Sequence, residues 1–326
     1  MADAYKPRIL FFFVDGLGVG PPDAAVNPLL RARLPHLASL VGPADMGRWR
    51  EGVAAERATL VPLDATLGVP GLPQSATGQT ALFAGVNAAR LLGRHKEGRP
   101  NAVLKEVLFQ RGIIPVLNRA GRRATFANAY GTASIPRYLA GEAPMSCTST
   151  MAYYGEGRFR STADFNRREA VFFDLTGRWA RRRGENAQLM TAREAGETLG
   201  RLAAGYDFTL YEYFLTDFAG HRRNMHRAVR YLEDIDAALG GVLHSLPLDR
   251  NLLVLTSDHG NAEDLSVRTH TRNAVPLLAA GAGHAAFASA CRSILDVAAA
   301  VYARLGVEPP PAFGKPSSAG AIPPPD

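Results

Sequence analysis

Eight side chains, grouped in four short motifs, have the chemistry to bind a metal ion or to attack a substrate. In chain order they are Asp15, Ser75, Thr77, Asp217, His221, Asp258, His259 and His270. Carboxylates and neutral imidazoles are the ligands that hold Zn²⁺, Mn²⁺ or similar ions in clefts that face water. The set therefore favours a site for two divalent metal ions, which would stabilise the attacking and leaving oxygens of a phosphoryl transfer.

The two hydroxyls lie in the stretch "GLPQSATGQTALF", residues 71–83, directly before an apolar helical pattern. A hydroxyl at a helix N-terminus lies at the positive end of the helix dipole, beside backbone N–H groups that have no partner within the helix. That environment suits a serine that is ionised by a metal and attacks a phosphoryl group whose oxygens the N–H groups bind. At this point Ser75 and Thr77 are both candidates for the nucleophile.

The aspartate of "FFFVDGLGVGPP" permits two interpretations, because a strand followed by glycines could also bind a dinucleotide. That reading requires G-x-G-x-x-G leading directly into a helix. Here Gly16, Gly18 and Gly20 are spaced G-x-G-x-G, and two prolines follow, which have no amide N–H to donate. Asp15 would also repel a pyrophosphate. The sequence therefore favours Asp15 as a metal ligand.

The candidate side chains follow or precede elements that alternate along the chain. Short runs that are apolar on both faces predict buried strands over 8–14, 123–130, 207–214 and 251–257. Helical patterns lie between them, over 77–92, 101–112, 191–205, 224–246 and 293–306. The alternation predicts an α/β fold, a three-layer sandwich with a mainly parallel central sheet. Ligands of such sheets bind beyond the carboxyl ends of the strands, where the candidates are expected.

One segment interrupts this alternation and is interpreted as a small inserted cap over residues 134–185. The core then consists of a first part, 1–133, and a second part, 186–308, and a Pro-rich tail, 309–326, is predicted to be disordered. Arg160, Arg167 and Arg168 of the cap are candidate contacts to a substrate anion, and the alternative is that they form a solvated face, as charge runs usually do. The arginine cluster at 178–183 is interpreted as surface, and His95 and Lys96 are predicted to be solvated rather than to meet a phosphate.

Composition limits the class of protein. The 326 residues are 47% hydrophobic and carry a net charge of +7, which suits an anionic ligand. No nucleic-acid-binding motif occurs, so we expect a small phosphorylated substrate and no nucleic acid. Two isolated cysteines, no signal peptide and no long apolar run predict a cytoplasmic protein with no membrane contact. The oligomeric state stays open.

In order and spacing the motifs resemble the alkaline phosphatase superfamily, and within it the branch of cofactor-independent phosphoglycerate mutase and phosphopentomutase. An aspartate after a hydrophobic strand, an S/T-x-x-G turn, D-x-x-x-H, S-D-H-G-N and T-H-T-x-x-x-V-P follow one another in that order. The likeness covers about 8–131 and 191–305. It implies an alkaline phosphatase-like core with a cap, and two divalent ions, manganese, zinc or magnesium.

Carried over by motif position, the resemblance implies a role for each candidate. One metal would be held by Asp217, His221 and His270. The other would be held by Asp15, Ser75, Asp258 and His259. Ser75 precedes Gly78 by three residues, as the nucleophile does in those relatives, and would form a phosphoserine intermediate.

The sequence also departs from the mutases. Gln79 stands where they usually have a histidine, and counterparts of their "DGRD" and "GGVHSH" segments are missing. A mutase must hold its dephosphorylated intermediate in a cavity that excludes water, which a small cap does poorly. Phosphomonoester hydrolysis is therefore the predicted reaction. The alternatives are a phosphomutase acting on a phosphoglycerate or phosphosugar, and a non-catalytic metal- or anion-binding protein on the same fold.

Overall fold

The computed structural model describes residues 8–314, so residues 315–326 of the predicted tail lie outside the described part of the chain. The strands are β1 (Arg8–Val14), β2 (Val53–Ala54), β3 (Ala58–Leu63), β4 (Ala124–Phe126), β5 (Ala129–Tyr130), β6 (Arg160–Ser161), β7 (Phe208–Tyr213), β8 (Asn251–Thr256) and β9 (Val275–Gly281). The helices are α1 (Pro35–Val41), α2 (Met46–Glu51), α3 (Ser75–Ala84), α4 (Ala88–Leu92), α5 (Ala102–Arg111), α6 (Ile113–Arg119), α7 (Ser134–Leu139), α8 (Cys147–Glu156), α9 (Thr162–Asn166), α10 (Arg178–Arg182), α11 (Ala192–Ala203), α12 (Leu215–His221), α13 (Met225–Ser245), α14 (His284–Ser289) and α15 (Val297–Leu305).

Seven strands form the central sheet, in the order β2-β3-β9-β8-β1-β7-β4. β1 pairs in parallel with both β7 and β8, and β4 pairs in parallel with β7. β9 runs antiparallel to β8, and β3 and β2 continue the sheet with antiparallel pairs. The predicted α/β fold with a mainly parallel sheet is confirmed.

β1 shows why the sheet is covered on both faces. Its alternate side chains enter two different hydrophobic clusters, with Leu10, Phe12 and Val14 in one and Phe11 and Phe13 in the other. A strand whose two faces are both buried has no polar face, which is why its sequence is a continuous apolar run.

The strand predicted over 123–130 is two strands in two sheets. β4 belongs to the central sheet, whereas β5 pairs with β6 outside it. The break lies at Asn128, whose side-chain amide donates to the Glu212 carbonyl while its oxygen accepts from the Glu212 N–H. The Asn128 side chain thus replaces the backbone pairing with β7. The apolar pattern of the sequence does not indicate this break. β3 and β9 were also absent from the prediction.

Two helices of the segment predicted to be a cap, α8 and α10, have different surroundings. α8 packs against α5 and α6, and its Cys147 and Met151 lie in the same hydrophobic cluster as Phe11 of β1. α10 instead contributes side chains to the cleft described below. The domain boundaries at 134 and 185 stay a prediction. In the described range 8–314, no helix combines the length and the apolar character that a membrane span requires.

A close contact between α11 and α13 holds the long helix that follows α12. A Cβ atom added at Gly196 would lie 1.8 Å from the Ala238 carbonyl oxygen. We therefore expect Gly196→Ala to lower the free energy of unfolding by about 2 kcal/mol or more, because the helices must move apart. Urea unfolding measures the change. Gly205→Ala is the matched control, since its nearest neighbour would be at 3.4 Å, and an equal effect of both variants would contradict the prediction.

Candidate functional site

The site lies where three neighbouring parallel strands end. Asp15 directly follows β1, Asp217 lies in the first turn of α12 after β7, and Asp258 follows β8. Because β7, β1 and β8 are adjacent, their carboxyl ends bring the three aspartates to one edge of the sheet.

A first group of possible metal ligands consists of Asp217, His221 and His270. The two carboxylate oxygens of Asp217 lie 3.3 Å from His221 Nε2 and 3.4 Å from His270 Nε2, and the two Nε2 atoms are 3.2 Å apart. One ligand atom from each residue can be chosen so that all lie within 4.8 Å of one another. The three side chains that the resemblance assigns to one metal therefore converge.

A second group surrounds the His259 imidazole. Its Nε2 lies 3.1 Å from Ser75 Oγ, 3.3 Å from Asp258 Oδ2 and 3.5 Å from Asp15 Oδ1. Asp15, His259 and Asp217 also form a set of ligand atoms within 4.8 Å of one another. Asp217 thus lies in reach of both groups, whereas the sequence assigns it to one.

Backbone carbonyls orient the imidazoles. His221 Nδ1 donates to the Arg268 carbonyl at 2.9 Å, and His270 Nδ1 donates to the Pro73 carbonyl at 2.8 Å. A ring whose Nδ1 carries the hydrogen presents Nε2 to a metal, as is usual for metal-ligating histidines. The rings of His259 and His270 also stack, with centroids 3.7 Å apart.

The residues present fit a divalent cation. Asp15 Oδ1 and Asp258 Oδ2 are buried and accept no hydrogen bond from the described residues. Burial raises the pKa of Asp15 well above its usual range, and the charges of Asp258 and Asp217 raise it further. Burial also raises the pKa of Asp258. A bound cation would stabilise the ionised form of these buried oxygens, which lack hydrogen-bond donors among the described residues. A ligand set of oxygen and nitrogen atoms accepts several metals.

The first group, Asp217, His221 and His270, differs from the second in its protonation, because hydrogen bonds join its imidazoles to a carboxylate. Burial alone would raise the pKa of Asp217, but hydrogen bonds from His221 and His270 hold it well below its usual range. The same hydrogen bond raises the pKa of His221 to about 9. Burial instead lowers the pKa of His259, which favours the neutral ring beside Ser75.

Ser75 and Thr77 occupy different surroundings. Ser75 is the first residue of α3 and is half-buried. Thr77 is buried, and its hydroxyl donates to the Gln74 carbonyl and accepts from the Lys96 N–H. The hydroxyl that faces the cluster is therefore that of Ser75.

Three residues that the sequence did not single out as functional make hydrogen bonds in or beside the site. Gln79 Nε2 donates to Asp15 Oδ2 at 3.2 Å, and Asn261 Nδ2 donates to Asp217 Oδ1 at 2.7 Å. The fully buried Glu263 accepts from the N–H groups of Gly18 and Asn261 and from the side chains of Thr271 and Asn273. The available sequence signal for Glu263 was its place in the stretch "SDHGNAED", which also contains Asp258 and His259.

A cleft of about 900 Å³ opens above the cluster, and Asp15, Ser75, Asp217 and His221 lie in its lining. Four cations also line it, namely Lys96, Arg99, Arg183 and Arg222. Arg183 was interpreted as surface and Lys96 as solvated, and both reach this cleft.

The predicted anion contacts from the cap are not found in the cleft, as far as the described residues define it. Arg160 is buried, and its guanidinium donates to the Phe126 carbonyl and the Thr125 hydroxyl. Arg167 pairs with Asp164 and Glu169. Neither arginine lines the cleft, so the structure does not support an anion contact for them, and Arg167, whose side chain is 56% exposed, fits the alternative of a solvated face.

Part of the chain matches a known protein family. Residues 183–309 match the family model described as "Metalloenzyme superfamily". A 2,3-bisphosphoglycerate-independent phosphoglycerate mutase of Desulforudis audaxviator is 30% identical over 128 residues, which are 37% of this chain and 25% of that protein. The chain thus spans about a quarter of the length of the curated relatives it matches.

Among solved structures, the PH0037 protein of Pyrococcus horikoshii matches with a TM-score of 0.57 and 17% identity, over 95% of this chain and 99% of that one. Alkaline phosphatase of the Antarctic bacterium TAB5 matches with a TM-score of 0.50 and 13% identity, over 93% and 99%. The chain therefore has an alkaline phosphatase-like fold. Its residues 183–309 match the Metalloenzyme superfamily model, which confirms the resemblance read from the motifs.

Metal binding should release a proton from the first group. The hydrogen bond with Asp217 raises the pKa of His221 to about 9, so the ring is protonated at pH 7.5 and must lose its proton to bind a cation. Calorimetric titration of the metal-free protein with Mn²⁺ in two buffers of different ionisation enthalpy should show this release, which diminishes as the pH rises through 9.

The His221→Ala variant should release about one proton fewer per protein. His244→Ala is the control, because His244 is an exposed histidine in the last turn of α13. Equal heats in both buffers for the unaltered protein would contradict the assignment of His221 as a ligand.

Proposed function

We propose that this protein is a metal-dependent enzyme that hydrolyses a small phosphate monoester through a phosphoserine intermediate at Ser75. The observation that carries the proposal is the position of Ser75. Its hydroxyl is the first of α3, lies 3.1 Å from His259 Nε2 and faces a cleft between two groups of metal-ligand type.

Each side chain has a role in this proposal. Asp217, His221 and His270 would hold one divalent ion, and Asp15, Ser75, Asp258 and His259 would hold the other. Two ions bound there would lower the pKa of the serine hydroxyl and offset the charge of the phosphoryl oxygens.

The chain's own groups orient the reaction. The hydrogen bond from Gln79 orients the Asp15 carboxylate, whose other oxygen lies 3.5 Å from His259 Nε2. The N-terminus of α3 offers N–H groups to phosphoryl oxygens, and Lys96 and Arg99 add positive charge to the cleft. Ser75 attacks the phosphorus, its ester bond forms as the bond to the leaving oxygen breaks, and water then takes the phosphoryl group from the serine.

Hydrolysis is favoured over mutase chemistry by the access of water. Ser75 is half-buried, and the His221 side chain is 45% exposed. A mutase must protect its phosphoserine from water until the substrate is rephosphorylated. The second candidate is nevertheless a phosphomutase, because the matched relative is named a phosphoglycerate mutase.

The nucleophile is tested with a pair of variants. Ser75→Ala should lower the turnover of 4-nitrophenyl phosphate by at least about a thousandfold, because the variant lacks the hydroxyl that lies 3.1 Å from His259 Nε2 and would attack the phosphorus. Its metal content should remain largely intact. Thr77→Val is the matched control and should keep most of the activity, since its hydroxyl bonds to Gln74 and Lys96. Full turnover by Ser75→Ala would exclude the proposed intermediate.

Hydrolase and mutase are separated by the fate of the phosphoryl group. With Mn²⁺, Mg²⁺ or Zn²⁺ present, we expect release of inorganic phosphate from a panel of phosphorylated metabolites that includes 3-phosphoglycerate and ribose 1-phosphate. Isomerised products without released phosphate would establish the mutase instead. Neither product, together with weak metal binding in elemental analysis, would identify a non-catalytic protein.

A further inference from the structure

One wall of the cleft is built from four aromatic side chains that the proposed phosphoryl chemistry does not use. We call Phe173, Trp179, Phe214 and Phe218 the aromatic wall. All four line the cleft, and all four are half-buried rather than buried. Single exposed apolar residues are ordinary on a protein surface, but a contiguous group in a cleft indicates a binding surface.

The four rings contact one another in sequence. Phe214 and Phe173 stack with centroids 4.3 Å apart, Phe173 and Trp179 lie 5.8 Å apart, and Trp179 and Phe218 meet edge to face at 6.2 Å. Rings that hold one another lose little further side-chain entropy when a ligand packs on them. The wall is therefore a preformed surface of aromatic faces and edges.

The wall adjoins the chemistry. Phe218 follows Asp217 directly in α12, and Phe214 ends the connection from β7 to that helix. Ser75 and the aromatic wall line the same cleft. A group attached to a phosphate near Ser75 would therefore lie in the cleft that this wall bounds.

Cations flank the wall. The Arg222 guanidinium lies 3.5 Å from the Phe218 ring centroid, and the Arg183 guanidinium lies 5.9 Å from that of Trp179. Besides Asp15 and Asp217, two acidic side chains line the cleft, and both are hydrogen-bonded: Glu212 accepts from the Thr148 hydroxyl, and Glu185 accepts from the hydroxyls of Thr132 and Thr162. The surface suits a ligand that joins an anion to a planar ring.

We infer that the phosphate ester this site accepts carries a planar aromatic ring, which stacks on the aromatic wall while its phosphate meets Ser75. The inference rests on the proposed function and deepens it, because it names the substrate class. Aryl-bearing esters and nucleoside phosphates share this chemistry. Hydrolysis would yield inorganic phosphate and the ring-bearing alcohol.

Two matched pairs of esters test the ring. Benzyl phosphate and cyclohexylmethyl phosphate differ in the planarity of the ring, and AMP and ribose 5-phosphate differ by the nucleobase. We expect the kcat/KM of the ring-bearing member to exceed that of its counterpart by about tenfold or more, as one stacked ring can supply. A preference in the benzyl pair alone identifies an aryl ester, and one in the AMP pair alone identifies a nucleoside phosphate.

In the pair that shows the preference, Trp179→Leu should reduce the ratio of kcat/KM between the ring-bearing ester and its counterpart at least about fivefold. Phe173→Leu is a second variant if the first fails to fold. Phe109→Leu is the matched control, because Phe109 is a half-buried ring beneath the Arg119 guanidinium and lies outside the cleft lining. Ratios near one in both pairs for the unaltered protein would overturn the inference, and hydrolysis that depends on Ser75 would still support the proposed function.

If no ester is turned over, the proposed function fails and binding decides the inference separately. Trp179 is half-exposed in the cleft and Trp49 is buried away from it, so quenching of tryptophan fluorescence reports on the wall. Saturable quenching by AMP but not by ribose 5-phosphate supports the aromatic subsite. Equal or absent quenching by the two would exclude it.

Discussion

The repulsion between carboxylates at one edge of the sheet is the constraint on which the site depends. β7, β1 and β8 are neighbours, so Asp217, Asp15 and Asp258 cannot be separated without breaking the strand pairing. Burial and repulsion disfavour their ionised forms, which is why the pKa values of Asp15 and Asp258 are raised. Asp217 differs, because hydrogen bonds from the His221 and His270 imidazoles outweigh its burial and lower its pKa. The fold thus leaves a deficit of positive charge that divalent cations suit.

Neutral donors and glycines give these carboxylates a fixed geometry. A Cβ atom at Gly16 would lie 2.7 Å from Asp217 Oδ1, and one at Gly18 would lie 2.5 Å from the Glu263 carboxyl carbon. Gly16 also has a φ of +69°, which side chains disfavour. The glycines after Asp15 therefore allow the loop to approach two carboxylates, and the Gly18 N–H donates to Glu263. This close approach explains the G-x-G-x-G spacing without a dinucleotide.

How far the sequence predicts this structure depends on how local each signal is. The bounds of β1 follow from a continuous apolar run, and the convergence of Asp15, Asp217 and Asp258 follows from their places after parallel strands. Arg160 could not be placed this way, because its partner is the carbonyl of Phe126, 34 positions away. Arg183 lines the cleft because it is the C-cap residue of α10, which packs beside the cleft. A run of arginines in the sequence does not indicate which of them faces a cleft.

The cleft has two parts with different structural origins, and this bears on how its specificity is set. Ser75 and Asp15 are positioned by α3 and β1, elements of the core. Trp179 comes from the segment predicted to be a cap, yet its ring contacts Phe218 on the helix that carries Asp217. In the proposed function, the core therefore determines where a phosphoryl group would react. The segment predicted to be a cap would then shape what is attached to that group, and through Phe218 it contacts the helix that carries Asp217.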